Sequence, residues 1–167
     1  MKVELLHSTP LWGASTAIRK CWDSGDKSDT EVCYGGDLIT GEKDKELIHR
    51  IGNKMKHKST LEFISYVFDI NNISTKTLLG LTRHRVGTSF AVQSTRYTTK
   101  KRANDLSVTY TNNQEINSKL DRIMDIVQEA INEGGGNDDI SMLLPQGYNY
   151  SLVCQMNCRA LQHFLEL

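Results

Sequence analysis

The sequence has no net charge, no apolar run of membrane length, no Cys-x-x-Cys pair and no internal repeat. Each absence removes a class of protein. Twenty lysines and arginines balance twenty aspartates and glutamates, so the total offers no general attraction to nucleic acid or anionic membrane, and only local patches remain. No stretch approaches the ~20 apolar residues of a membrane span. The opening Met-Lys-Val-Glu-Leu-Leu-His lacks the apolar core of a secretory signal, which leads to the expectation of a cytoplasmic protein. The four cysteines are Cys21, Cys33, Cys154 and Cys158. No Cys/His pair with zinc-finger spacing accompanies them, so reduced, mostly packed thiols are expected and no metal site. A chain of 167 residues, 38% hydrophobic and 24% charged, is long enough for one domain with its own core.

The patterning predicts an α+β unit. Residues 3–6 read as a short strand, and Ser8-Thr9-Pro10 is expected to cap a helix carrying Trp12 and Trp22. Residues 24–41 are polar and glycine-rich, which suggests a surface loop or short hairpin. Lys43-Asp44-Lys45-Glu46 opens a second helix with Leu47, Ile48, Ile51 and Met55 at helical spacing. Aromatic and β-branched residues over 61–70 predict a strand that ends at Asn71-Asn72. Ser74 then caps a helix through Leu78, Leu79 and Leu81, and β-branched residues return over 88–99. Ile116, Leu120, Ile123, Val127 and Ile131 form one stripe of a long helix that Gly134-Gly135-Gly136 stops. A short helix up to Pro145, a strand over 148–155 and a last helix from Asn157 complete the expected order.

The chemistry concentrates in residues 83–97, Arg-His-Arg-Val-Gly-Thr-Ser-Phe-Ala-Val-Gln-Ser-Thr-Arg-Tyr. Arg83, Arg85 and Arg96 offer planar forks suited to phosphate, His84 can donate, accept or stack, and Ser94 adds a hydroxyl. Because the triplet follows a predicted helix, it is expected where a helix meets a loop. As single residues, arginines and histidines at helix ends often only satisfy terminal carbonyls.

This block resembles the signature of the flavin-dependent thymidylate synthases, an Arg-His-Arg followed after a spacer by Ser-x-Arg-Tyr. Three further segments carry the same resemblance: residues 9–22 (TPLWGASTAIRKCW), residues 43–63 (KDKELIHRIGNKMKHKSTLEF) and residues 157–167 (NCRALQHFLEL). The first two are similar to the epsilonproteobacterial or phage branch of that family, and the last resembles its Asn-x-Arg flavin motif. Residues 1–167 are therefore identified as one domain of this type, with helices on a central antiparallel or mixed sheet. The resemblance implies an enzyme, a homotetramer with FAD between subunits. It would make dTMP from dUMP with methylenetetrahydrofolate carbon and NADPH electrons, in the cytoplasm of a bacterium or a phage-infected bacterial cell. It further implies that His57, Arg83, His84, Arg85, Asn157, Arg159 and His163 contact FAD, that Ser94 and Arg96 hold dUMP, and that no cysteine acts as nucleophile.

Departures from the family pattern bear on activity. The spacer Val86 to Gln93 is one residue longer than usual, which would turn extended side chains to the opposite face unless a bulge absorbs it, with Gly87 suited to help. Gly80 stands where many relatives carry a Gln that contacts dUMP, Phe63 replaces a common His, and Ser141 occupies the place of an Arg or Lys directed at the phosphate. Relatives continue past the position of Leu167 with an Arg that activates the uracil, so the catalytic residue is unknown and the chain is expected to be truncated. Each lost cation costs about 1.5–3 kcal/mol if it made charge-assisted hydrogen bonds. Two alternatives follow. One is an inactive or split N-terminal part of such an enzyme, with a separately encoded C-terminal piece. The other is a nucleic-acid-binding module using Arg83, Arg85, Arg96, Lys100, Lys101 and Arg102 as a basic stripe with Phe90 and Tyr97 as stacking surfaces, against which the neutral total charge argues.

Overall fold

The computed structural model describes residues 1–33 and 35–167. The chain begins with β1 (Lys2–Ser8), longer than expected, followed by α1 (Trp12–Cys21). The cap differs from the expectation. Leu11 occupies the N-cap position without a side-chain hydrogen bond, because the Thr9 hydroxyl is used elsewhere: its oxygen accepts from the Ser65 N–H at 2.8 Å. A long-range contact has overridden a local capping signal.

A single turn at Gly25–Lys27 leads into β2 (Glu31–Val32) and β3 (Leu38–Ile39), a two-residue antiparallel pair with Glu31 opposite Ile39 and Val32 opposite Leu38. The expected loop or short hairpin is thus a minimal hairpin, apart from residue 34, which lies outside the described residues. Next comes α2 (Glu42–Ile48), which continues as a π-helical stretch over His49–Lys54. Ile48 and Ile51 are buried as their spacing predicts, but Met55 is 50% exposed.

Residues expected to open the next strand instead make a 3-10 turn over Lys58–Phe63, and β4 runs over Ser65–Ser74. Asn71-Asn72 does not end it. Asn72 takes φ 59° inside the strand, a conformation asparagine tolerates better than most residues, so the pair marks an irregularity and not a stop. Then follow α3 (Thr75–Leu81), β5 (Thr88–Val92), the short α4 (Thr95–Thr98), a turn over Lys100–Asp105 and the long α5 (Gln114–Asn132). The extended character expected to run to residue 99 therefore ends at Val92. Gly134, with φ 90°, terminates α5, and α6 (Asn137–Ser141), β6 (Asn149–Asn157) and α7 (Cys158–Leu165) close the order.

The strands form a sheet in the order β1-β4-β6-β5. Asn157 N–H donates to Gly87 O at 2.8 Å and Gln93 N–H to Ser151 O at 2.9 Å, a constant register that makes β5 and β6 antiparallel. The chain is a mixed α/β fold on an antiparallel sheet, in agreement with the sequence reading. β1 lies at the sheet's edge and exposes Val3, Leu5 and Leu6. Among the described residues, no helix is long and apolar enough to cross a membrane.

Contacts divide the chain into two compact units. The first comprises Met1–Glu4, Asp69–Arg83 and Phe90–Val153, and the second Leu5–Phe68, His84–Ser89 and Cys154–Leu167. In the first, Leu78, Leu81, Val127, Ile140, Tyr148 and Leu152 are buried. Of the predicted α5 stripe, Val127 is fully buried, whereas Ile116 is 43% and Ile123 37% exposed. In the second, Ala14 and Ile18 of α1 pack with Ile48, Ile51, Leu61 and Ile64.

That second core encloses an ion pair. Asp44 accepts from Arg19 Nε at 2.5 Å, Ser28 Oγ at 2.6 Å and Thr30 Oγ1 at 2.8 Å, with both charged side chains buried. Burial alone would push the Asp44 carboxyl up, but the hydroxyl donors and the Arg19 guanidinium together hold it below the ordinary value.

Candidate functional site

The Arg-His-Arg triplet stands where the sequence places it, at a helix end. Ser74 Oγ accepts from Thr77 N–H at 3.3 Å and caps α3. The helix ends at Leu81, Thr82 Oγ1 bonds back to Leu78 O at 3.0 Å, and Arg83 follows in the first unit while His84 and Arg85 belong to the second. Thr88 Oγ1 donates to His84 O and closes the turn that carries them. Arg83 and Arg85 are exposed, and among the described residues neither guanidinium has a hydrogen-bond or ion-pair partner.

In the second unit His84 is half-buried, with the His163 ring 6.2 Å away and the Phe164 ring 5.3 Å away, both edge-on. The turn is fastened to α7 at one point. Gly87 takes φ 72°, its carbonyl accepts from Asn157 N–H, and a Cβ at that position would collide with the Asn157 carboxamide. Asn157 in turn caps α7, its Oδ1 accepting from Ala160 N–H at 2.8 Å. The carboxamide Nδ2 remains unengaged among the described residues. Arg159 Nη1 donates to Glu62 Oε1 at 2.6 Å. His57 is exposed, and its carbonyl accepts from the Thr60 hydroxyl at 2.9 Å.

The structure therefore brings His84, Asn157 and His163 together and carries Arg85 and Arg159 on the adjoining backbone. No hydrogen bond among the described residues joins His57 to them. Sequence reasoning named Gly87 only as a possible accommodation for the longer spacer and gave Glu62 and Phe164 no role. The signal for Gly87 was its glycine identity beside a charged triplet, but its partner lies 70 positions away. The β5–β6 register from Gly87 to Gln93 contains no bulge, so the extra spacer residue is not absorbed inside that ladder. The left-handed backbone at Gly87 lies at its entrance.

Ser94 and Arg96 lie in the first unit, at the start of α4. Gln93 braces this segment: its Oε1 accepts from Arg102 Nη1 at 2.8 Å and Ser151 N–H at 3.3 Å, while Nε2 donates to Thr98 Oγ1 at 3.1 Å. Arg96 donates from Nε and Nη2 to the two carboxylate oxygens of Asp138, at 2.8 and 2.9 Å. The hydrogen bond and charge of Asp138 raise the Arg96 pKa further, and the reciprocal bond from Arg96 lowers that of Asp138. Ser141 Oγ donates to the Asp138 carbonyl at 2.6 Å. Arg102 also pairs with Asp105 at 3.2 Å, so two cations of the basic stripe are already engaged with acids.

Guanidinium forks and hydroxyl donors of this kind are suited to anions. Burial pushes the Cys154 thiol up to about 11, and Cys158 is also raised by burial, against a lowering hydrogen bond from Tyr66; neither favours a thiolate. Among the described residues, no cluster of three His, Cys, Asp or Glu side chains is placed to hold a metal ion.

An α/β protein with a bare Arg85 next in sequence to His84, whose ring meets those of His163 and Phe164 edge-on, and a separate arginine–serine helix turn, has the makings of a phosphate-ligand enzyme. Comparison with known proteins gives the class its family. The model for the thymidylate synthase complementing proteins, Thy1, matches residues 4–167. A flavin-dependent thymidylate synthase of Campylobacter jejuni is 36% identical over all of this chain and 82% of its own length, and that of Wolinella succinogenes is 39% identical over all of this chain and 83% of its own. The crystal structure of thymidylate synthase X from Helicobacter pylori with FAD and dUMP superposes with a TM-score of 0.82 at 34% identity, covering 99% of this chain and 82% of that one. The chain belongs to the flavin-dependent thymidylate synthase family.

Proposed function

We propose that this protein converts dUMP to dTMP by reductive methylation, with bound FAD, carbon from methylenetetrahydrofolate and electrons from NADPH, residues 1–167 acting as one domain. The observation that carries the reading is the exposed Arg85 guanidinium, without a partner among the described residues, on a turn fastened through Gly87 to the Asn157 cap, while Arg83 at the end of α3 is likewise exposed and without a partner among the described residues. Bare forks on a braced turn fit a pyrophosphate, and the half-buried His84 with His163 and Phe164 fits an aromatic ring system.

FAD, when bound, supplies the hydride chemistry. The chain's own residues bind and orient. Arg83 and Arg85 neutralise the cofactor phosphates, His84 and His163 present ring edges, and Arg159, directed by Glu62, adds a fixed positive charge. His57, exposed ahead of the Lys58–Phe63 turn, and the free Nδ2 of Asn157 supply further polar contacts. Ser94 and Arg96 hold the monophosphate of dUMP, which fixes the pyrimidine by its far end. The exposed Val3, Leu5 and Leu6 of β1 and Ile116, Ile123 and Ile126 of α5 support self-association, which we take to be a homotetramer, and we place the protein in the cytoplasm.

The test is the absorbance spectrum of the purified protein after FAD is added and the unbound fraction removed, repeated with dUMP. Retained FAD whose spectrum responds to dUMP is expected. Arg83→Ala should lose flavin, whereas Arg96→Ala should keep flavin and weaken dUMP binding roughly tenfold or more. Equal effects of the two substitutions on both ligands would contradict the division of roles.

A further inference from the structure

The phosphate role given to Arg96 leaves Asp138 without a purpose, although Asp138 is the side chain that Arg96 touches through two points. A guanidinium carries five N–H groups. Asp138 takes the one on Nε and one on Nη2, and this leaves three, one on Nη2 and two on Nη1, which make a second fork along the adjacent edge. A phosphate accepts two parallel hydrogen bonds from such an edge. An exposed ion pair is individually weak, but two-point contact fixes the plane and direction of the guanidinium where one point would leave it free to rotate.

The surroundings hold this geometry. Lys100 N–H donates to Asn137 Oδ1 at 3.1 Å, and Lys100 Nζ to Gly134 O at 3.2 Å. Together with the Arg96 pair, these contacts tie the α4 segment to the start of α6. Ser141, on the same short helix, spends its hydroxyl on the Asp138 carbonyl and brings no charge of its own.

We propose that Asp138 is a positioning residue for the substrate phosphate: it grips one edge of the Arg96 guanidinium and presents the other edge to the phosphate of dUMP. This rests on the reading of Arg96 as a ligand of that phosphate. The sign of the effect separates positioning from competition. A carboxylate that only occupied Arg96 would compete with phosphate, and its removal would tighten binding; a carboxylate that aims Arg96 weakens binding when removed.

The experiment is a double-mutant cycle on the FAD-loaded protein, with dUMP affinity measured by calorimetry for wild type, Asp138→Asn, Arg96→Ala and the double variant. Asp138→Asn should raise the Kd for dUMP about three- to fivefold, keep its FAD, and have no further effect in the Arg96→Ala background, while Asp138→Glu should recover part of the loss. Unchanged or tighter dUMP binding in Asp138→Asn, with Arg96→Ala still weakened, overturns the proposal and leaves the reading of Arg96 intact. Unchanged binding in Arg96→Ala overturns that reading itself. Loss of FAD from Asp138→Asn, or an equal penalty with and without Arg96, would show a general structural role and also overturn it.

Discussion

Arg19 and Arg85 are the same residue type under opposite terms. Arg19 is buried, its Nε on Asp44 and its Nη1 on the Ser24 carbonyl, so its charge is answered inside the fold. Arg85, like Arg83, is exposed and has no partner among the described residues. The first kind of arginine is an element of structure, and the second keeps its N–H groups without a partner among the described residues, as the proposed anion-binding role requires. Arg96 and Arg159 stand between them, each on a single carboxylate with N–H groups to spare. What separates the kinds is burial and whether a carboxylate of the fold already answers the charge, neither of which a sequence displays.

Breaking the internal pair should have the largest effect. Asp44→Asn leaves Arg19 buried without a counter-charge and should destabilise the protein by about 3–5 kcal/mol, read from urea unfolding. The pH dependence has a definite sign. The Asp44 carboxyl is held below its ordinary value, so its contribution is present above the unfolded pKa of about 3.9 and is lost as pH falls through the lower folded value. The variant should lose that part of the acid limb of the stability profile, and an unaltered limb would count against the pair.

Gly87→Ala tests the other side of the comparison, the support under the bare arginines. A left-handed backbone at a non-glycine residue costs about 1–2 kcal/mol, and here the new methyl also meets the Asn157 carboxamide. Flavin retention should fall further than the melting temperature suggests, because the turn that carries Arg85 must move. A variant that keeps FAD as wild type would show that the clasp does not orient the turn.

The smallest expected change is a gain. Gly80 lies within α3, and a side chain built there meets nothing within 4 Å. Gly80→Gln should stabilise the protein by about 0.5–1 kcal/mol through helix propensity. If Gln at this place also reaches the nucleotide, dUMP binding tightens as well; stabilisation without tighter binding would restrict its role to the helix.

Local signals were legible and long-range ones were not. Ser74 caps its helix as read from sequence, because a cap is decided within four residues, and Asn157, read only as a helix start and a flavin contact, caps α7 as well. Thr9 fails as a cap because its hydroxyl is taken by Ser65, far along the chain. The strand of residues 65–74 continues past Asn71-Asn72 because the sheet tolerates one left-handed residue there. The charged triplet was visible from composition, whereas the engagement of Arg96 by Asp138, 42 positions away, had no signal in spacing.

The Gly87–Asn157 clasp also sets an order of events during synthesis. The loop bearing His84 and Arg85 gains its fixed shape only when the closing strand and α7 exist, and the turn over Lys58–Phe63 likewise waits for Arg159, 97 positions later. These closures span 70 and 97 positions, and each carries the entropy of a long loop. During synthesis the segment that bears Arg85 therefore stays loose until Asn157 has emerged. Any ligand site built on this segment takes form late, after the residues around Asn157 are in place.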